Sequence, residues 1–356
     1  MKISVITPSQ IDGTLRERWH TIRSEAGRGP LAGPFFTPEY TTLIGAERPG
    51  TRIAVIELEG RVVGFFPFEV DWLGFGGPVG DRMSDYHGVI LEAGVTLPVR
   101  TLLRACGLRT WRFDHLIDST GAFSQYETGR AESWLMRLDG GYEAYRASIE
   151  ARSGLLKRKA TDMRRMIRDL GPLRFEFQST DSTLFERLQE WKSRQYVESG
   201  LVDLFRLEWA RRTLDRLRQF ESAEMSGVMS ALYAGERLVA VHLGWRTSTV
   251  LHYYLPTYDR AASAYSPGFA LLLKMTEHAA GMGIDTIDLG KGNESYKLVL
   301  ANDSYQVAVG CVEPRLVRSI RSGARAAAAQ LKSSDALLNA ARWGKRRLRG
   351  LAGHRI

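Results

Sequence analysis

The sequence predicts an α+β protein built around one mixed central sheet flanked by helices. Residues 52–70, RIAVIELEGRVVGFFPFEV, alternate in two runs that meet at Glu59-Gly60, as a hairpin does. Residues 229–259, MSALYAGERLVAVHLGWRTSTVLHYYLPTYD, read as a three-strand meander with turns at Ala234-Gly235 and near Thr247–Thr249. Around these, segments of helical period alternate with short strands, and no short-period repeat interrupts them.

In order, Pro67 in the second run of the hairpin suits an edge strand. GFGGPVGDRMSDYHGVIL is a glycine-rich connection into a short strand, PVRTLLRACGL a helix, and TWRFDHLI and ESWLMRLD are strands. The character changes after Gly140-Gly141. Residues 142–171 form one arginine-rich helical stretch ended by Gly171-Pro172. LRFEFQS alternates as a strand, and DSTLFERLQEWKSRQYVESG is a helix opened by Asp181 or Ser182. RLEWARRTLDRLRQFES is another helix, followed by the meander. Pro267-Gly268 then opens an apolar helix that stops at Gly281-Met282-Gly283. IDTIDLG is a buried strand, KGNESYKLVLA a loop and short helix, and YQVAVGCVE the last strand. Two halves, 1–140 and 141–312, and a basic helical tail, 313–356, are the expected divisions.

Composition narrows the function. The net charge of +9 suggests nucleic acid until it is located. Residues 315–356 hold eleven Lys/Arg and one acid, Asp335, whereas the other 314 residues carry 38 basic and 39 acidic side chains. The body is therefore neutral, which disfavours a nucleic-acid partner, and the Ala/Arg-rich tail is the candidate for contact with an anionic membrane surface. No apolar run reaches the length of a membrane helix, and MKISVITPSQID is too weakly apolar for a signal peptide. Cys106 and Cys311 are isolated, giving neither a disulfide framework nor a metal cluster, so a cytoplasmic setting is expected, peripheral to the membrane if the tail binds it. GFGGPVG lacks the dinucleotide spacing, GKG at 290–292 lacks the Walker spacing, and no Gly-x-Ser-x-Gly elbow occurs.

The run ERLVAVHLGWRTSTVLHYYLPTYD followed by YSPGFALLLKMTEHAAGMGIDTIDLGKGNESYK resembles the GNAT-superfamily acyltransferases of the CelD/BcsL, cellulose-biosynthesis type. SDYHGVIL, Ser84–Leu91, is similar to the N-terminal half of the same group. The resemblance implies tandem GNAT-like halves, the first degenerate, similar in plan to the FemAB peptidyltransferases. It implies acetyl-CoA or another acyl-CoA as cofactor, an amine or hydroxyl acceptor such as a sugar or polysaccharide precursor, and a polysaccharide-synthesis complex as partner. The element entering Ser266, Pro267 and Gly268 would receive the cofactor's diphosphate on backbone amides. Tyr254, Leu255 and Lys297 are further cofactor-side candidates. Here the sequence departs from the family: Arg260 to Gly268 holds one glycine where the family has a glycine-rich loop.

Acyl transfer from a thioester requires a base, an oxyanion contact and a proton for the leaving thiolate. Histidine titrates nearest neutrality, which points to His242 and His252 on the meander. A three-residue turn, Thr247–Thr249, puts both on one sheet face with Tyr254; a two- or four-residue turn puts them on opposite faces. Asp288 either orients a histidine or bonds loop amides. Glu294 is the alternative base, or a helix cap. Lys291 and Lys297 would meet phosphates or an acidic acceptor, or simply solvent, and Tyr296 and Tyr258 are candidate donors to the thiolate. By resemblance, Asp85, Tyr86 and His87 face the cleft between the halves, where the acceptor binds. No cysteine lies near, so transfer is expected to be direct. FemAB-like aminoacyl transfer and a non-catalytic subunit of an exopolysaccharide machine are the alternatives.

Overall fold

In a computed structural model that describes residues 1–314, the first element is β1 (Lys2–Ile6), which pairs antiparallel with β2 (Thr51–Leu58). Between them lie α1 (Gly13–Glu25), capped by Asp12 on the Leu15 amide, and α2 (Pro38–Gly45), capped by Thr37 on the Tyr40 amide. These two helices carry no strong apolar period and were not expected from the sequence. β3 (Arg61–Val70) completes the expected hairpin, with Glu59 and Gly60 both at positive φ, 53° and 80°, as a tight two-residue turn requires. β4 (Phe75–Gly77), β5 (His87–Gly88), β6 (Ile90–Leu91), α3 (Val99–Ala105), β7 (Thr110–Ile117) and β8 (Glu127–Arg137) follow. β3 is not an edge: β2 pairs along one side, and β6 and β4 pair on the other. Pro67 is tolerated because β6 meets Gly64 and Phe65 and β4 meets Glu69 and Val70, leaving a gap around the proline on that side.

The long helical stretch is two helices, α4 (Gly141–Arg152) and α5 (Leu155–Leu170). Ser153 leaves helical space at φ −154° and Gly154 restarts the chain, so a Ser-Gly pair broke what periodicity alone had joined. β9 (Leu173–Glu176), α6 (Ser182–Glu198), α7 (Glu208–Gln219), β10 (Ser226–Ala234), β11 (Arg237–Arg246) and β12 (Val250–Tyr258) come next. α8 (Pro267–Gly281), β13 (Thr286–Lys291), α9 (Ser295–Leu300) and β14 (Asp303–Val312) close the described chain.

The strands form one mixed sheet in the order β1-β2-β3-β4-β7-β14-β8-β13-β12-β11-β10-β9, with β5 on β7 and β6 on β3. The last strand, β14, therefore lies between β7 and β8 and ties the early strands to the late ones. One face is covered by α1, α2, α6 and α7, whose Trp19, Tyr40, Leu188 and Leu214 join Trp245 and Leu255 in a single core. On the other face Tyr145 and Ile149 of α4 and Leu272 and Met275 of α8 pack on Leu251, Tyr253 and Ile287. Met1–Cys311 forms one compact unit; the second, Val312–Ile356, falls almost wholly outside the described residues, and with it the reading of the basic tail.

Candidate active site

β12 and β13 run parallel and pair at Val250–Thr286, Leu251–Ile287 and His252–Asp288, where the ladder ends. Both strands carry a bulge at that point. β12 gains a residue against β11 between Trp245–His252 and Leu243–Leu255, and β13 slips against β8 between Asp288 and Gly290. Gly290, at φ 70°, makes the second bend, and bulges re-aim strands in this way. A cleft of about 950 Å³ opens past the last pair, walled by Tyr253–Tyr258 of β12, Leu289 and Lys291 of β13, the start of α8, and α9.

At the root of the cleft four elements converge. His252 Nε2 is 2.9 Å from Asp85 Oδ2, and its Nδ1 is 3.5 Å from Asp288 Oδ1, long for a hydrogen bond but close for charge attraction. Asp288 Oδ1 accepts from the Tyr86 hydroxyl at 2.9 Å and from the Gly290 amide at 2.8 Å, and Tyr86 Oη meets Ser133 Oγ of β8 at 2.6 Å. Burial alone would lower the pKa of His252. The Asp288 and Asp85 carboxylates outweigh it and lift the imidazole to about 9. Burial would likewise raise Asp85, but its bond to His252 holds it below the usual carboxylate range. His252 is 1% exposed at its side chain and Asp85 29%, so Asp85 is the end of the pair that meets the cleft.

The walls are cationic. Arg82, Arg158, Lys159, Lys192, Lys291 and Lys297 line the cleft against two acids, Asp85 and Glu294. Lys192 of α6 is buried, donates to the Pro256 carbonyl at 3.1 Å, and is pulled down to about 8 by burial. Lys297 donates to the Lys291 carbonyl at 3.0 Å and pairs with Glu294 at 3.2 Å. At the start of α8, Ser266 sits at φ 54°, and its carbonyl takes both the Phe269 and Ala270 amides. Its hydroxyl donates to Asp162 and receives Lys159 Nζ at 2.6 Å. The Gly268 amide has no partner among the described residues. Lys159, through its bond to the Ser266 hydroxyl, stands next to this helix start, and Arg158 lines the same cleft.

Of the residues singled out from the sequence, His252, Asp288, Asp85 and Tyr86 form the network, and Tyr254, Leu255, Ser266, Pro267, Gly268, Lys291, Glu294, Tyr296, Tyr258 and Lys297 line the cleft. Two do not belong. Trp245 pairs with His252 and the Thr247 amide donates to the Val250 carbonyl, so the turn is two residues, Ser248-Thr249, and His242 falls on the opposite face. There it stacks on Tyr253 at 4.5 Å, and burial drives its pKa well below that of a free imidazole. His87 points into the early half: its Nε2 accepts from the Asp114 and His115 amides at 3.3 and 3.4 Å, and burial lowers it to about 3. Lys192, Arg158, Lys159, Tyr196 and Ser133 were missed. For Lys192 a signal existed, since it extends the Leu184, Leu188 stripe by one more helical turn and so falls on the buried face of α6.

Residues 156–298 match the family model described as acetyltransferase (GNAT) domain. Among solved structures, FemX superposes with a TM-score of 0.56 at 10% identity, covering 87% of this chain and 96% of its own. The C-terminal DUF2156 domain of a putative lysylphosphatidylglycerol synthetase from Agrobacterium fabrum gives 0.52 at 13%, covering 86% and 93%. A tandem GNAT protein from the clavulanic acid biosynthesis pathway gives 0.50 at 13%, covering 88% and 98%. At such identities these likenesses establish the fold: a mixed sheet flanked by helices, as in tandem GNAT proteins. No curated protein matches the sequence.

Proposed function

We propose that this chain transfers an acyl group, acetyl in the simplest case, from acyl-CoA to an amine or hydroxyl acceptor, with residues 1–140 and 141–312 acting as two halves around one cleft. The observation that carries the reading is the parting of β12 from β13 directly above a carboxylate held by a buried imidazolium. The residues fit the cofactor. Among the described residues the β13 side of β12 has no ladder partner past His252 and the Gly268 amide is free, and Lys159 and Arg158 line the same cleft as cations for phosphate. Bound acyl-CoA supplies an activated thioester carbonyl.

The chain's own residues orient the acceptor. The Asp85 carboxylate accepts a hydrogen bond from the acceptor N–H or O–H, and His252, bonded to its Oδ2, keeps it ionised. A carboxylate below its usual range is a weak base, so the acceptor amine must arrive uncharged, and Asp85 stabilises the positive charge that grows on the attacking atom. In this reading His252 holds its proton and Asp85 faces the acceptor, because the Asp288 and Asp85 carboxylates lift the imidazole to about 9. Lys192, Tyr296 and Tyr258 line the cleft, and each can donate the proton that the leaving thiolate takes up. Cys106 and Cys311 are buried and do not line it, which supports direct transfer. A sugar or polysaccharide precursor as acceptor, the CelD/BcsL grouping and a cytoplasmic setting belong to this proposal.

Aminoacyl transfer of the FemX kind is the second reading, favoured by six cationic side chains around the cleft. Calorimetry separates the two. Micromolar acetyl-CoA binding, lost in Gly268→Trp, is expected, because a Cβ at Gly268 already meets the Tyr258 ring at 3.3 Å on the cleft wall. A wild-type protein that binds no acyl-CoA would end the proposal.

A further inference from the structure

The turn between β3 and β4 carries Trp72 at 90% exposure, Phe75 at 50% and Leu73 at 37%. It is not a loose loop. Asp71 Oδ1 accepts from the Leu73 and Phe75 amides at 2.9 and 2.8 Å, and the Gly74 amide donates to the Asp71 carbonyl at 3.1 Å. The acid of the turn is thereby turned onto its own backbone, and three apolar side chains are held outward. A folded chain spends no stability on displaying a tryptophan, so a stiff apolar tip needs an external reason.

The surroundings supply the charge. The Arg109 amide donates to the Gly74 carbonyl at 2.8 Å, bringing that arginine beside the turn. Phe75 is opposite Thr110 in a parallel pair, which places Arg112, two residues on, on the same sheet face as Phe75. Arg104 lies in the last turn of α3, and just past that helix the Gly107 carbonyl approaches within 3.0 Å of the position of a Cβ at Gly74. All three arginines are exposed, and among the described residues none of their side chains makes a hydrogen bond or ion pair.

We propose that this tip docks on an anionic phospholipid surface, Trp72, Leu73 and Phe75 entering the headgroup boundary while Arg104, Arg109 and Arg112 meet lipid phosphates. Tryptophan with flanking cations suits that boundary, where one end of the ring is apolar and the other wet. A stable protein partner needs roughly 800 Å² per side, which a convex tip of three side chains does not offer. The contact is independent of the acyltransferase reading and of the basic tail.

The test is flotation of the full chain with vesicles of phosphatidylcholine alone or mixed with phosphatidylglycerol. The wild type is expected to float with the mixed vesicles, and W72S/F75S and R104E/R109E to lose at least tenfold in apparent affinity while melting as wild type. Brominated acyl chains should quench wild-type tryptophan emission and leave W72S unquenched. Flotation of W72S/F75S equal to wild type would assign any binding to the tail and overturn the proposal, as would a wild type that ignores both vesicle types, the outcome expected of a protein-docking tip.

Discussion

Replacing His252 by glutamine removes the one cation between Asp85 and Asp288, and its effect can be worked from the imidazole's environment. The ring titrates at 6.5 when free and at about 9 in the fold. Each tenfold gain in proton affinity is worth about 1.36 kcal/mol, so the protonated ring stabilises the fold by about 3 kcal/mol. The folded value lies above the unfolded one. The stabilisation is therefore complete below pH 6.5, erodes as the unfolded chain loses its proton, and is gone once pH passes about 9. Lys192, pulled down to about 8, titrates with the opposite sign over the upper part of this window. The useful quantity is thus the difference between wild type and His252→Gln in urea unfolding free energy, measured at successive pH values. That difference should shrink by about 3 kcal/mol between pH 6.5 and pH 9. Parallel stability profiles for the two proteins would refute a histidine held protonated by two carboxylates.

Two further substitutions separate the network from its neighbours. Asp85→Asn keeps the shape of the side chain but loses the charge, and should lower kcat/KM by about a hundredfold or more while acyl-CoA binding, measured by calorimetry, stays within about twofold. His242→Phe should change neither activity nor unfolding free energy by more than about 1 kcal/mol, because both ring nitrogens of His242 are buried without a partner among the described residues and an apolar ring forfeits no hydrogen bond.

The order of elements was readable because local signals agree with the tertiary outcome. Glu59-Gly60 is a turn wherever it stands, and Asp181 caps α6 as its sequence foretells. α1 and α2 were not read because their buried positions, Trp19, Ile22, Tyr40 and Ile44, gain meaning only from a core that late strands complete. The site was legible in its residue types and illegible in its assembly. Whether His242 and His252 share a face turns on one residue of hairpin register, and nothing in Thr247–Thr249 specifies two loop residues over three. At α8 the sequence signal held locally: Pro267-Gly268 starts the helix as expected, and the Ser266 carbonyl accepts the first intrahelical bonds from the Phe269 and Ala270 amides.

The arrangement around His252 argues for a working site over a structural ion pair. One carboxylate suffices to balance the charge of one buried imidazolium, so the second leaves the cluster with a net negative charge, and such clusters concentrate at working sites. The two carboxylates here are not equivalent. Asp288 is fixed by Tyr86, the Gly290 amide and the His252 ring, and is nearly sealed. Asp85 has the His252 bond and an open side toward the cleft. A purely structural network would bury and bond both alike. The asymmetry leaves Asp85, among the described residues, with the His252 ring as its side-chain hydrogen-bond partner and with room on the side where β12 and β13 part, which is where the proposed acceptor amine or hydroxyl would donate.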